Sequence, residues 1–482
     1  MGFSQILNAG DVQIREKGIT RSICAECSRV IPAVLLDEGG CLFLERTCPE
    51  HGKQRVPHFL ENTEYYEAVA AFMPEIPGQE EPAARIVDIT YRCNADCAYC
   101  FASANERPDT QPELEQIIRD IGTFHGPYVY LSGGEPTLRD DLFAIIRALK
   151  KKKYQVVLVT NAKKLVASDY VRQLESAGLD YVQVPFETFD EGESLLLENE
   201  CTVAIKLKAL ENIRKTSMKV FLWVRLVRGI NEGQIGPIVD FVAARAGWIK
   251  YIVFAPAWQE GRARLPQKSL SRNETMHYLR KHYGIQLSDY LEDMTFYALL
   301  FSFFDLLTNK PIARSSPCTA RCHCFVFAGR IRVLAQMVPL TVINGLLYRL
   351  LERIRGQRGR LGRLITGGTH FPYVTFLRYF LGSRNARAYI IDTLKSFFQR
   401  REGMRSDASV FTIGISPFMD RNNFDARLAF SHCHMRTQDH GVVMPLCLRE
   451  ILRNKGITQG DVLRDTVRCL QKEYPGIEKY AL

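Results

Sequence analysis

The chain has 482 residues, enough for two to four domains, and 46% of them are hydrophobic, which excludes a disordered polymer. Fourteen cysteines could mark a disulfide scaffold, but the length and a start (Met1-Gly-Phe-Ser-Gln-Ile6) without an apolar secretory core, or a Ser or Thr at position six for myristoylation, argue for metal-bound thiols in a reducing cytoplasm. The net charge is +10, and the stretch Arg330 to Arg405 covers it: fourteen Arg and one Lys against Glu352, Asp392 and Glu402.

Residues 1–80 read as a separate module. Cys24-Ala-Glu-Cys27 precedes an alternating run, Val34 to Arg46, with Gly39-Gly40 at its middle as a hairpin signal. Cys48-Pro-Glu-His51-Gly52 follows. A CxxC knuckle, a hairpin and a CxxH knuckle give four ligands for zinc or a single rubredoxin-like iron. Cys41 lies inside the hairpin and reads as packing, though it could replace His51. An oxidised Cys24–Cys27 pair is the plain alternative.

Residues 81–258 alternate between strand and helix patterns. Strands are expected at Arg85–Thr90, Tyr128–Ser132, Gln155–Thr160, Tyr181–Phe186, Lys219–Leu226 and Lys250–Phe254. Helices are expected at Glu113–Thr123, Arg139–Lys152, Ser168–Ala177, Val203–Thr216 and Glu232–Ala244. Leu142, Ile145, Ile146 and Leu149 fall at i, i+3, i+4 and i+7 and make one apolar face, as do Leu114, Ile117, Ile118 and Ile121. Such alternation predicts an α/β fold with a parallel sheet and crossover helices, its active site at the carboxyl ends of the strands.

Two motifs fall at those ends. After the first strand, Cys93, Cys97 and Cys100 form CxxxCxxC, three soft thiolates on one loop suited to an iron–sulfur cluster. A four-iron cubane on three cysteines leaves one iron open to a substrate or cofactor. The second strand ends in Gly133-Gly134-Glu135-Pro136. A zinc knuckle is the alternative that the cysteine spacing alone allows. Strand ends also nominate Asn161, Glu187 and Arg225, each of which could instead be a cap or surface residue. Asn231 reads as an N-cap.

Residues 259–410 depart from the alternation. Tyr290–Leu307 and Val333–Leu351 are apolar, and Arg353, Arg355, Arg358, Arg360 and Arg363 follow the second run. This is the composition of a segment on anionic lipid, or equally of a buried helix followed by a solvated basic loop. Neither run is a clean transmembrane span. Few aromatics interleave the basic residues before Phe371 and no RNA module is recognisable, so nucleic acid is not expected. In 411–482, Cys433 and Cys447 join Cys318, Cys322 and Cys324 as thiolates remote in sequence. Cys318, Cys322, Cys433 and Cys447 are the expected ligands of an auxiliary [4Fe–4S] cluster, with structural zinc as the alternative and Cys324 spare. Cys201 and Cys469 read as core residues.

The cysteine loop, with aromatic Tyr99 before its last cysteine, and the Gly-Gly-Glu-Pro turn together resemble the radical S-adenosylmethionine (SAM) superfamily. The resemblance implies a partial (βα)6 TIM-type barrel. It also implies that the open iron chelates SAM, that the reduced cluster cleaves it to a 5′-deoxyadenosyl radical, and that this radical takes hydrogen from an unactivated C–H bond. Gly133, Gly134, Glu135 and Pro136 would meet the SAM amino group, and Tyr99 and Phe101 would flank the adenine. Asn161 and Glu187 would contact SAM, and Arg225 would hold its carboxylate. An electron donor such as ferredoxin or flavodoxin is implied.

The Cys24 module, the barrel and the ending Cys433…Gly441-Val-Val-Met-Pro-Leu-Cys447 resemble the group containing archaeal tetraether lipid synthase and proteins named dihydro-hydroxymethylpterin dimethyltransferase. That implies a lipid-like substrate joined by C–C coupling, in a cytoplasmic enzyme able to sit at the inner membrane face. The alternative is a methyltransferase or modifying enzyme acting on a pterin or other small molecule. The chain departs from the group in having too few C-terminal cysteines for two full auxiliary clusters.

Overall fold

The computed structural model describes residues 14–72, 83–109, 111–122, 124–258, 260–263, 269–308, 318–327, 330–356, 410–433, 435–439, 442–458 and 460–471. Four antiparallel strands come first, paired in chain order: β1 (Ile14–Ile23), β2 (Val30–Glu38), β3 (Cys41–Cys48) and β4 (Gly52–Asn62). Gly39 and Gly40 both have positive φ, 61° and 84°, which a tight two-residue hairpin requires. Helix α1 (Thr63–Phe72) closes this module.

The alternating region folds as its pattern predicts. It comprises β5 (Ala84–Thr90), the two-residue β6 (Tyr99–Cys100), α2 (Leu114–Ile121), β7 (Tyr128–Gly133), α3 (Leu142–Lys151), β8 (Gln155–Val159), α4 (Ser168–Ser176), β9 (Tyr181–Pro185), α5 (Glu191–Glu198), α6 (Val203–Arg214), β10 (Lys219–Leu226), α7 (Ile235–Ala243) and β11 (Ile249–Pro256). Strands β5 and β7 to β11 are parallel neighbours in chain order. Leu142, Ile145, Ile146 and Leu149 of α3 are wholly buried, the expected apolar face. Helix α5 has no such signature. Its buried residues are Ser194, Leu197 and Glu198, while Leu195 and Leu196 are exposed. Its start is set instead by Asp190, whose carboxylate accepts from the Glu193 N–H.

The remaining elements are β12 (Arg262–Ala263), α8 (Arg272–Tyr283), α9 (Leu287–Thr308), β13 (Ala320–Phe327), β14 (Arg330–Val333), α10 (Leu334–Met337), α11 (Leu340–Arg355), β15 (Val410–Ile415), α12 (Ala426–His432), β16 (Met435–Asp439), β17 (Val442–Pro445), α13 (Leu446–Asn454) and α14 (Gly460–Gln471). The central sheet does not end with β11. Strand β15 adds parallel to β11, β13 and β14 follow antiparallel, and at the opposite edge β16 pairs parallel with β5 and carries β17.

The apolar run Val333–Leu351 is spent on packing. Leu340, Ile343, Leu347, Leu350, Leu351 and Ile354 are buried with Phe296, Leu299 and Phe303 of α9. Val342 and Tyr348 are exposed. No helix among the described residues is long and apolar enough to cross a membrane. Arg358, Arg360 and Arg363, part of the expected lipid-facing cluster, lie outside the described residues.

One buried carboxylate joins the first module to the C-terminal part. Asp425 caps α12 and accepts from the Thr20 hydroxyl (2.6 Å) and from His58 Nε2 (3.2 Å). His58 Nδ1 accepts from the Leu60 N–H, so the proton sits on Nε2, and burial holds the ring below the usual histidine range. Replacing Asp425 with Ala strands two buried donors and is expected to cost about 3 kcal/mol, read as a lower urea midpoint. An unchanged midpoint would show that the two parts are not coupled there.

Candidate active site and metal centres

The cysteine loop is fixed at both ends. Asn105 brackets Cys93, accepting from its N–H (2.8 Å) and donating to its carbonyl (2.9 Å). Tyr99 and Cys100 pair with Ala263 and Arg262, and the Ala98 N–H donates to the Leu197 carbonyl of α5. Cys100 acts electrostatically on both Cys93 and Cys97. Burial pushes the Cys93 thiol up to about 11, and burial with Glu198 and Cys100 raises Cys97 further. A bound metal reverses that preference, because its charge favours thiolate.

The glycine turn is pressed against the root of this loop. Gly134 N–H donates to the Thr90 carbonyl (2.7 Å) and Glu135 N–H to that of Arg92 (2.8 Å). A Cβ on Gly133 would stand 2.1 Å from the Thr90 oxygen, and one on Gly134 would stand 2.2 Å from the Arg92 oxygen. Only glycine permits this approach. The Glu135 carboxylate is buried and turned inward. It accepts from the Thr137 N–H and hydroxyl, the Thr160 hydroxyl (2.7 Å) and the Asn161 N–H (2.7 Å). Asn161 Nδ2 in turn donates to Asn94 Oδ1 on the cysteine loop (2.7 Å). The second and third strand ends therefore brace the loop.

Glu187 is buried at the end of β9. Lys206 Nζ donates to it (2.8 Å) and also to Glu198 of α5. Burial works against ionising Glu187, but Lys206 holds its carboxyl below the usual range, while burial pushes Glu198 up to about 7. Glu187 Oε1 and the Tyr99 hydroxyl are buried without hydrogen-bond partners among the described residues. Arg225 lies within 5.6 Å of the ring centres of Phe101, Trp223 and Phe418, its Nη1 also buried and unpartnered. Phe101 packs on Trp258 at 5.8 Å. These orphaned polar atoms beside aromatic rings suit a ligand with both flat and polar parts. Asn231 occupies a cap position without capping. Its Nδ2 donates to the carbonyls of Glu187 (3.0 Å) and Arg225 (2.7 Å), stapling two strand ends together. Sequence pattern missed that role, and the roles of Asn105, Lys206 and Glu198, because none sits in a motif.

In the first module the ligand atoms of Cys24, Cys27, Cys48 and His51 all lie within 4.8 Å of one another. Cys48 Sγ is 3.5 Å from His51 Nδ1, and that contact brings its thiol down to about 6. This spacing fits one tetrahedral ion. Cys41 is not part of the group. Replacing Cys24 and Cys27 with Ser is expected to expose the first 60 residues to protease while the central cluster still assembles, since metal supplies most of the stability of so small a module. Full protease resistance with full metal content would refute this.

Among the C-terminal thiols, burial raises that of Cys447, and Cys433 and Cys318 raise it further. Cys322 is wholly buried beside Cys324 on β13, where Cys324, Asp293 and Asp289 act on it. Strand alternation gives those two cysteines one face. The expected core positions Cys201 and Cys469 are corrected, because both are exposed. Cys201 sits in the link between α5 and α6, and Cys469 is off the buried Leu463-Val467-Leu470 stripe of α14. Helix α13, which carries Cys447, is tied to β5 by Arg449 and Arg453, whose guanidinium groups reach Asp88 at 2.9 and 3.2 Å.

Residues 87–242 match the family model of the radical SAM superfamily. The chain is an enzyme with a radical SAM domain. Its domain takes a [4Fe–4S] cluster and SAM, and the three-thiol loop with the braced glycine turn fits both. Residues 17–58 match the model of the HMPTM N-terminal zinc ribbon domain, in agreement with the four-ligand group. A protein of Methanocaldococcus jannaschii named 7,8-dihydro-6-hydroxymethylpterin dimethyltransferase is 26% identical over 91% of this chain and 94% of its own length. A Pyrococcus abyssi protein named "Probable GTP 3′,8-cyclase" is 30% identical over 32% of this chain, and the match spans 51% of that protein. Among solved structures, Streptococcus suis SuiB bound to precursor peptide SuiA is 17% identical, with a TM-score of 0.37, covering 48% of this chain and 50% of that one.

Proposed function

We propose that this radical SAM enzyme modifies a C–H bond of a small ring-containing molecule, of the pterin kind, rather than a lipid chain. The carrying observation is the full-length similarity to a protein named as a pterin dimethyltransferase. The apolar run that suggested lipid is engaged in packing α11 on α9. Parallel strands β5 and β7 to β11 serve as the partial barrel. Cys93, Cys97 and Cys100 hold the [4Fe–4S] cluster, and the backbone of Gly133–Pro136 holds the SAM amino end. Cluster and SAM together supply the radical chemistry that opens an unactivated C–H bond.

The chain's own residues do the placing. Asn161 and Glu187 face the SAM side of the mouth, and Tyr99 and Phe101 wall the adenine. Arg225 offers a buried cation to a carboxylate, and its aromatic cage keeps water out. Cys318, Cys433 and Cys447, with one further ligand, hold an auxiliary centre. A ferredoxin- or flavodoxin-like protein supplies electrons.

The test is anaerobic turnover of reconstituted protein with SAM, dithionite and 6-hydroxymethyl-7,8-dihydropterin. Production of 5′-deoxyadenosine and a mass-shifted pterin is expected. Release of 5′-deoxyadenosine with the pterin unchanged, but with modification of an added fatty acyl lipid, would reverse the substrate assignment.

A further inference from the structure

Arg272 is the largest wholly buried side chain among the described residues. It is the first residue of α8, directly after the cap Ser271, whose hydroxyl accepts from the Glu274 N–H. A helix start carries partial positive charge, so a cation is disfavoured there. Arg272 Nη2 donates to the Cys318 carbonyl (2.6 Å), and the guanidinium carbon lies 4.4 Å from the centre of the Tyr65 ring. Its Nε and Nη1 are buried without hydrogen-bond partners among the described residues.

The nearby titratable groups do not neutralise it. Glu61 is the carboxylate that feels Arg272, but no ion pair joins them. The Glu61 oxygens accept from the backbone N–H groups of Arg272 (3.1 Å) and Asn273 (3.0 Å), and burial pushes the carboxyl up. His58 also feels Arg272, and burial holds its ring below the usual range. Asp425 is taken by Thr20 and His58. Arg321 brings a second cation to bear on the Tyr65 phenol.

A buried cation is costly unless an anion lies near. Cys318 is placed to supply one. A carbonyl oxygen stands at most about 5 Å from the sulfur of its own cysteine, so that sulfur lies within about 8 Å of Nη2. Cys318 acts on the Tyr65 phenol in the opposite sense to Arg272, and it acts with Cys433 on the Cys447 thiol. Metal-bound, these thiols become thiolates and gather negative charge.

We propose that Arg272 is the internal counter-charge of the auxiliary centre, acting through space on the Cys318 side and favouring the form that carries one more electron. This rests on the assignment of Cys318, Cys433 and Cys447 to that centre and gives it a tuning residue. The electron comes from the ferredoxin- or flavodoxin-like donor, which is oxidised as the centre is reduced, and no bond or proton changes. Arginine suits the task because burial does not strip its charge.

The test uses the full chain carrying C93A, C97A and C100A, reconstituted anaerobically, so that the auxiliary centre alone gives the iron–sulfur electron paramagnetic resonance signal. About four irons should remain for it. The parent is poised with redox mediators where half of the centre is reduced. At that poise R272Q should lower the reduced-to-oxidised ratio at least about tenfold, the scale of one unit charge about 8 Å away inside a protein. R272K, which keeps the charge and loses the fork, should stay within about threefold of the parent. A role as a mere tether of the Cys318 carbonyl predicts that both variants behave alike. An unchanged ratio in iron-loaded R272Q, a tenfold fall in R272K, or loss of iron from R272K would each overturn the proposal. Should R272Q not fold, the R272K ratio decides by itself. A parent without the remaining iron would instead refute the auxiliary centre, and the counter-charge with it, before any potential is set.

Discussion

Alanine at Cys93, Cys97 and Cys100 together is expected to remove about four irons per chain and to abolish formation of 5′-deoxyadenosine. The fold should survive the change. The loop is held by Asn105, by the pairing of Tyr99 and Cys100 with Ala263 and Arg262, and by the bond from Ala98 to Leu197. None of these uses a thiol. Far-ultraviolet circular dichroism should therefore match the wild type while the iron is lost. If the triple variant still cleaves SAM, the assignment of the cluster to this loop is wrong.

Replacing Lys206 with Met is the second large effect. Lys206 is buried between two buried carboxylates, and removing it leaves Glu187 and Glu198 facing each other without their cation. Breaking a buried ion group in this way costs about 3–5 kcal/mol. The damage should reach the cluster, because α5 holds the loop through Leu197 and Glu187 stands beside Tyr99. A lower urea midpoint with substoichiometric iron is expected. Adding E198Q, which removes one of the stranded charges, should recover part of the loss. A K206M protein as stable as the wild type would show that the triad carries no weight.

The Lys206 group also shows where sequence reading stops. Helix α6 was legible from its pattern, but a lysine on it looks solvated until α5 is known to fold back over it. Helix α5 is short and lacks an apolar stripe, so it gives no periodic signal. By contrast, the glycine hairpin, the two knuckles and the strands β5 and β7 to β11 were legible, because each is a local pattern of turn residue, ligand spacing or alternation. The additions to the sheet were not. Strands β13 and β15 pair with residues far away in the chain, and β15 is only six residues long. Nothing local says which edge such a strand will join. Asn231 was read as a cap from its place before a helix, and its side chain turned out to bind two strand ends.

The order of strands has a consequence for synthesis of the protein. Both edges of the parallel sheet, β11 and β5, are covered by residues from the last part of the chain, β15 and β16. At about 5–20 residues per second, a ribosome needs about 15–60 s to travel from Cys100 to Val410. Through that interval the nascent chain displays three cysteines of the cluster loop on a sheet with two bare edges. Chaperoning of those edges and delivery of iron and sulfide are expected to be timed to chain release, and a truncated chain should accumulate as an aggregate without the cluster of that loop.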